Sequence, residues 1–240
     1  MSSVARHFFC SLLDAAQRTL RRIRGVLNRF SRRGAGAFSS ADYWEDRYRH
    51  GGTSGSGSYG RLAEWKANIL NDFVSTHGIT RILELGSGDG NQLSLADYRH
   101  YVGLDISATA VKICSDRFKD RDWNFHVYSP EMVRRIGIQF RPQLVMSLDV
   151  IFHLCEDEIY ENYMRSLFSM EPDYIVVYSS DGNFSIENTH IRNWKFTDWI
   201  AQNKPEWKLI EKIDNPYPWD AANPDETSFA DFYVFKKSVS

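Results

Sequence analysis

The sequence has 240 residues and a mass of 27.8 kDa, and its 42% hydrophobic and 14% aromatic content supplies one large core and excludes a disordered chain. The formal net charge is only −2, but the chain after residue 40 holds 21 basic and 30 acidic residues, which argues against a nucleic-acid-binding body. Three widely separated cysteines form no disulfide framework, which favours a reducing compartment and a cytoplasmic location, and no apolar run reaches the length of a membrane-spanning helix, about 18 residues.

Residues 1–40 form a basic arm with eight Arg and one acidic residue. Between Phe9 and Phe30, apolar residues recur at steps of four and three, which predicts an amphipathic helix over residues 4–30, followed by a linker. Three interpretations stay open: peripheral contact with an anionic membrane, a mitochondrial transit peptide with a mitochondrial location, and packing on the body or on a partner chain.

Residues 41–80 read as a helical lid segment. A helix is predicted over residues 41–50, with Asp42 as its N-cap, and a second over residues 61–77. The Gly/Ser-rich stretch 51–60 between them is either a flexible linker or a lid that meets a ligand with its backbone N–H groups.

Residues 81–240 alternate between strands and helices and form the third predicted domain. The strands are predicted at 81–85, 101–105, 123–128, 144–147, 174–179, 207–213 and 229–236, and the helices at 108–118, 156–170 and 196–202. This alternation predicts an α/β fold with a mostly parallel sheet, helices on both faces and an antiparallel last strand, because the last two strands have no helix between them.

A glycine-rich loop directly follows the first strand. Gly86, Gly88 and Gly90 are spaced G-x-G-x-G, whereas dinucleotide-binding loops use G-x-G-x-x-G. Asp105 ends the second strand, where a carboxylate can accept hydrogen bonds from both hydroxyls of a ribose. A glycine loop and an acid at these two strand ends predict a nucleotide-type cofactor site.

The motifs ELGSGDG and GLDIS resemble motifs I and II of the class I S-adenosylmethionine-dependent methyltransferases. QLVMSLDVIFHL and EPDYIVVYSS are similar to the strand-four and strand-five motifs of that family. The resemblance covers the chain from about Tyr43 to Lys236 and is nearest to bacterial small-molecule or glycan-pathway enzymes. It implies a seven-stranded Rossmann-like sheet and S-adenosylmethionine as the cofactor.

The resemblance also implies the cofactor contacts. Glu84, Gly86, Gly88 and Asp89 are expected at the methionine end, Asp105 at the ribose and Ile106 at the adenine, while strands three and four add Tyr128, Ser147 and Asp149. Candidate lid and substrate residues are Tyr43, Trp44, Tyr59, Arg61 and Arg192.

Two histidines are candidate catalytic bases for an acceptor hydroxyl. His153 follows the fourth strand and His190 lies in a polar loop after the fifth, although either could be a structural histidine. The acids after His153 lack the H-E-x-x-H spacing of a metal site, so no metal is expected.

The sequence therefore predicts an S-adenosylmethionine-dependent methyltransferase that acts, by O-methylation, on a small molecule or glycan, with no nucleic-acid partner. The alternative is a catalytically silent cofactor-binding subunit that docks to a membrane or a partner protein through the N-terminal helix.

Overall fold

The computed structural model describes residues 38–182 and 190–238. The predicted amphipathic helix over residues 4–30 lies outside the described residues. Within the described part of the chain, no helix is both long enough and apolar enough to cross a membrane.

One sheet of seven strands organises the described chain, with the spatial order β3-β2-β1-β4-β5-β7-β6. The strands are β1 Arg81–Leu85, β2 His100–Asp105, β3 Trp123–Val127, β4 Leu144–Leu148, β5 Tyr174–Ser179, β6 Trp207–Ile213 and β7 Asp231–Lys237. Strands β1 to β5 are parallel to one another, whereas β7 runs antiparallel between β5 and β6. The α/β, Rossmann-like, seven-stranded fold with an antiparallel last strand is thus confirmed.

Six α-helices accompany the sheet in the described residues. They are α1 Ser40–Arg49, α2 Gly60–Thr76, α3 Ala108–Arg117, α4 Pro130–Phe140, α5 Asp157–Ser169 and α6 Phe196–Asn203. Short 3₁₀ turns cover Ser56–Ser58, Gln92–Leu95 and Ile151–His153.

The hydrophobic core lies in two layers, one on each face of the sheet, because neighbouring strand residues point to opposite faces. Leu83 of β1 packs in the layer with α4, α5 and α6, while the adjacent Ile82 packs in the layer with α2 and α3. Both side chains have no exposed surface. A sheet covered on both faces leaves its strand ends as the place for a ligand crevice.

Two local features differ from the prediction. Helix α4 was not predicted, although the Ser129 hydroxyl caps it by accepting the backbone N–H of Met132 at 3.1 Å and Pro130 begins it. The N-cap of α1 is Ser39, whose hydroxyl accepts the N–H of Asp42, so Asp42 itself lies inside the helix. The connection between β1 and β2 contains a 3₁₀ turn where most crossovers have an α-helix.

Candidate functional site

A cavity opens at the carboxyl ends of β2, β1 and β4. Strand β1 has β2 on one side and β4 on the other, so the chain connections diverge there and leave a crevice above the strand ends. The cavity encloses about 1090 Å³ between protein atoms, including the part open to solvent.

The glycine loop forms one wall of the cavity. Gly86 and Gly88 have φ values of +93° and +57°, which residues other than glycine rarely adopt. A Cβ atom at Gly86 would lie 2.3 Å from Val150 Cγ2, and one at Gly88 would lie 2.3 Å from Ser54 Oγ. Glycine at these positions therefore allows both the turn and its close approach to neighbouring loops.

Asp105 ends β2 as a buried carboxylate in the cavity wall. Its Oδ2 accepts the N–H of Gly88 at 2.8 Å and its Oδ1 accepts the N–H of Ser107 at 2.9 Å. Burial nevertheless raises the pKa of Asp105 to about 6. Each carboxylate oxygen retains acceptor capacity, so Asp105 can hold a pair of hydroxyls.

Glu84 lies in the same wall on the neighbouring strand β1 and is also buried. Its Oε2 accepts a hydrogen bond from the Tyr101 hydroxyl at 2.6 Å. Burial raises its pKa to about 7, against a weaker lowering by that hydrogen bond and by the nearby charge of Lys66. The carboxyl group is therefore ready to become fully ionised when a cation approaches.

Sequence reasoning missed Lys66 of α2, which lines the cavity and has no exposed surface. Its Nζ lies 2.5 Å from Oδ2 of Asp149, the residue that follows β4. Asp149 has a φ of +58°, and the lid residue Gly57 lies so close that a Cβ would be 3.1 Å from the same oxygen. A lone lysine on a helix gives no sequence signal of this kind, because the pairing joins residues 83 positions apart.

His153 lines the cavity at the end of its 3₁₀ turn, and its ring contacts other aromatic rings. Its Nδ1 lies 3.0 Å from the backbone oxygen of His190, and the Trp44 ring contacts its ring edge-on at 5.0 Å. A carbonyl oxygen can only accept, so Nδ1 carries the proton and Nε2 is the basic nitrogen. Burial lowers the pKa of His153 to about 3, which keeps the ring neutral.

His190 does not line the cavity, which corrects its placement as a second base. Its ring is stacked between those of Tyr43 and His153, at centroid distances of 4.9 and 5.5 Å. His190 therefore supports His153 through ring stacking and its backbone carbonyl.

Helix α1 covers the cavity and is fastened at both of its sides. At its start, Ser40 donates its N–H to Glu156 Oε1 at 2.8 Å and its hydroxyl to Glu156 Oε2 at 2.5 Å. Further along, the Glu45 carboxylate accepts the hydroxyls of Ser107 and Thr109 at 2.6 and 2.7 Å. These hydrogen bonds lower the pKa of Glu45 to about 2. These hydrogen bonds hold α1 over the strand ends.

Asp89 fastens the Gly/Ser-rich segment instead of lining the cavity, which corrects its assignment to the methionine end. Its Oδ2 accepts the N–H of Ser54 and the hydroxyl of Tyr59, both at 2.9 Å. In return, Ser54 Oγ accepts the N–H of Asp89 at 2.9 Å. Hydrogen bonds therefore hold residues 54–59 to the glycine loop.

The structure brings most of the predicted residues to one cavity. Those in its wall are Trp44, Glu84, Gly86, Gly88, Asp105, Ile106, Tyr128, Asp149 and His153. Cavity residues that the sequence did not single out include Ser40, Lys66, Glu156 and Tyr163. Apart from Lys66, these are polar residues on helices or in helix caps. In the sequence they cannot be told apart from ordinary surface residues of helices.

Other predicted residues lie outside the wall, because the protein itself uses their polar groups. The Ser147 hydroxyl forms a hydrogen bond of 2.7 Å with the Tyr163 hydroxyl. Arg61 donates to the backbone oxygen of Glu226 at 2.8 Å, and Arg192 donates to Asp157 at 2.8 Å. Tyr43 and Tyr59 likewise contact His190 and Asp89 in place of the cavity. Among the described residues, no group of three or more His, Cys, Asp or Glu could hold a metal ion.

No family model and no curated protein matches this sequence. Solved structures match its fold. A SAM-dependent methyltransferase from Anabaena variabilis has a TM-score of 0.61 and 15% identity, covering 83% of this chain and 96% of that one. Magnesium protoporphyrin IX methyltransferase from Synechocystis, solved with bound SAH, has a TM-score of 0.60 and 13% identity, covering 82% and 98%. The methyltransferase domain of bacterial CtHen1 has a TM-score of 0.54 and 17% identity, covering 72% and 97%. The chain has the fold of the class I S-adenosylmethionine-dependent methyltransferases.

Proposed function

We propose that this chain binds S-adenosylmethionine in the cavity and transfers its methyl group to an oxygen atom of a small molecule or glycan. The observation that carries the proposal is the position of Asp105 and the glycine loop at neighbouring strand ends of this fold. One structural neighbour, the Synechocystis enzyme, has also been solved with bound SAM.

The residues in the cavity fit the chemical groups of this cofactor in order across the sheet. Asp105 on β2 suits the ribose diol, and Ile106 and Tyr128 beside it offer apolar surface for the adenine. Glu84 on β1 suits the ammonium group of the methionine part, because its carboxylate accepts one hydrogen bond from the part of the chain that the structure describes. Without Cβ atoms, Gly86 and Gly88 can pack against Val150 and Ser54 and still present the backbone of the loop to the cavity.

The cofactor supplies an electrophilic methyl group on a sulfonium ion, and the chain's own residues do the rest. Methyl transfer is an in-line displacement, so the protein must hold the acceptor oxygen on the axis of the bond at about 3–3.5 Å. Helix α1 excludes water from this geometry through Ser40 and Trp44, which lie in the cavity wall.

His153 is the candidate general base for the acceptor hydroxyl. Its Nδ1–H is fixed on the His190 carbonyl, so Nε2 is the nitrogen that can take the proton. The low pKa keeps His153 in its basic form at neutral pH. Its Nε2 can therefore accept the proton of the acceptor hydroxyl in the transition state.

The proposed class of methyl acceptor is argued from the charge of the chain and from the cavity. The fold alone does not identify the acceptor, because one fold serves many substrates. The structural neighbours include a protoporphyrin and a small RNA methyltransferase. In this chain, the 30 acidic and 21 basic residues after residue 40 would repel a phosphate backbone. An uncharged small molecule or sugar hydroxyl that reaches Trp44 and His153 fits the cavity better.

The experiment begins with calorimetric titration of the purified chain with S-adenosylmethionine. Micromolar binding supports the cofactor site, whereas no heat at millimolar cofactor overturns the proposal. Methyl-labelled cofactor with fractionated cell extract then identifies the acceptor. Cofactor binding with no labelled product from any fraction would instead favour a silent subunit that docks through residues 4–30. For residues 4–30 we propose peripheral contact with an anionic membrane from the cytoplasm.

A further inference from the structure

Lys66 is a completely buried lysine in the cavity wall, and the proton-transfer scheme above does not use it. Lysine is almost never fully buried unless its charge is paired. Here the partner is Asp149, 2.5 Å away, and the ammonium also lies 4.9 Å from the centre of the Tyr178 ring. The pair fixes Lys66 at the end of β4.

The ammonium group has donors to spare. It has three N–H bonds, of which Asp149 takes one, and it forms no second hydrogen bond within residues 38–182 and 190–238. Leaving the donors of a buried charge unfilled costs free energy, more than for a neutral group. Spare donors on a cavity wall therefore indicate an acceptor on the ligand.

The surrounding charges define what that acceptor is. Among the described residues in the wall, Lys66 is the one Lys or Arg, whereas Glu84, Asp105, Asp149 and Glu156 are acidic. An anionic group on a ligand would be repelled over most of this wall and attracted at Lys66. The cavity has one place for a carboxylate, and it is beside this lysine.

We propose that Lys66 binds the carboxylate of the methionine part of S-adenosylmethionine, an inference that rests on the proposed function. Strand order supports the assignment, because Asp105 lies on the β2 side of β1 and the Lys66–Asp149 pair lies on the β4 side. Glu84 stands between them on β1. The ribose and the amino-acid group of one extended ligand can then occupy the two sides, with the ammonium at Glu84 and the carboxylate at Lys66.

The test compares two ligands that differ only in this carboxylate. S-adenosylmethionine and its decarboxylated analogue are titrated calorimetrically into the wild-type chain and into Lys66→Met. A hydrogen bond to a charged group is worth about 1.5–3 kcal/mol, so wild type is expected to bind the complete cofactor roughly 10- to 100-fold more tightly. Lys66→Met is expected to lose this preference while keeping its affinity for the analogue.

Two further variants keep the result decisive. Lys66→Met combined with Asp149→Asn removes both charges, so it replaces the single variant if the unpaired Asp149 prevents folding. Lys212→Met removes a half-exposed, ion-paired lysine of β6 and is expected to leave the preference intact. If wild type binds neither ligand, the proposed function fails. If wild type binds both equally, or a Lys66 variant keeps the preference, the proposed function stands and Lys66 serves only to neutralise Asp149.

Discussion

The hydroxyl of Tyr101 donates a hydrogen bond to Glu84 at 2.6 Å, on the wall of a cavity where Asp105 is a second buried carboxyl group. Burial raises the pKa of Glu84 to about 7 and that of Asp105 to about 6. A cationic ligand favours their ionised forms, so its binding near neutral pH is coupled to proton release.

The affinity for S-adenosylmethionine is therefore expected to rise as the pH increases from 5 to 8. Calorimetry at each pH, in two buffers of different ionisation enthalpy, measures the affinity and the number of protons released. Glu84→Gln should bind more weakly and should lose the part of the rise that lies near pH 7. An affinity independent of pH over this range would contradict the role of both carboxyl groups.

The same shift predicts how stability depends on pH. Because the folded pKa of Glu84 lies above the unfolded value of 4.5, its contribution is fully present below about pH 4.5 and is lost as the pH rises through 7. The unfolding free energy of Glu84→Gln, measured relative to wild type, should therefore be higher at pH 8 than at pH 5 by roughly 2 kcal/mol. Urea denaturation at both pH values measures this gain. The exposed Glu158, changed to Gln, is the control and should show none.

His153 and His190 are expected to differ sharply in mutation. His153→Gln should lower turnover by about 10²- to 10⁴-fold with little change in cofactor affinity, because only the base is lost. His190→Phe keeps the carbonyl that orients His153 and keeps an aromatic ring in the stack, so it should retain most activity. Single-turnover rates with the identified acceptor decide between them, and equal losses in the two variants would restore His190 as a catalytic residue.

Ser40 is expected to control how fast the cofactor leaves. Ser40→Ala removes the hydroxyl that donates to Glu156 and leaves the backbone N–H of residue 40 to hold the start of α1 to that carboxylate. A hydrogen bond to a carboxylate of this kind corresponds to a roughly tenfold faster release of S-adenosylmethionine. Stopped-flow displacement by S-adenosylhomocysteine measures the rate. Ser115→Ala, on the exposed side of α3, should leave it unchanged.

The basic arm is expected to bind anionic lipid. Replacing Arg18, Arg21 and Arg22 by Gln should weaken binding to phosphatidylserine vesicles roughly 100-fold, since each basic residue near such a surface contributes about 1 kcal/mol. Cosedimentation measures the partitioning, with neutral phosphatidylcholine vesicles as the control. Equal binding of variant and wild type would end the membrane proposal and favour a partner chain.

The sheet could be predicted because its strands carry a strong local signal. Arg81–Leu85, Tyr174–Ser179 and Trp207–Ile213 have the predicted bounds in the structure, since each is an apolar or β-branched run between turn residues. Helix α4 was overlooked even though Ser129, Pro130 and Glu131 form a recognisable helix start.

The site was only partly predictable, because its contacts join distant parts of the chain. Asp105 ends β2 and Gly88 lies in the loop after β1, so both could be placed from the sequence. Asp89 faces the lid through Ser54, and a motif carries no information on which way such a side chain turns. The burial of Lys66 in the cavity wall could not be predicted, because an isolated lysine on a helix is normally solvated.

The backbone at Asp149 limits what can replace this residue. Its φ of +58° is readily accepted by Asn and Gly and resisted by β-branched residues, while its partner Lys66 demands a negative charge. Aspartate is the one amino acid that meets both conditions at low cost. A library covering every residue at position 149 should therefore yield folded proteins mainly with Asp, Asn and Gly. The two neutral variants would separate the electrostatic role of Asp149 from the role of its backbone conformation.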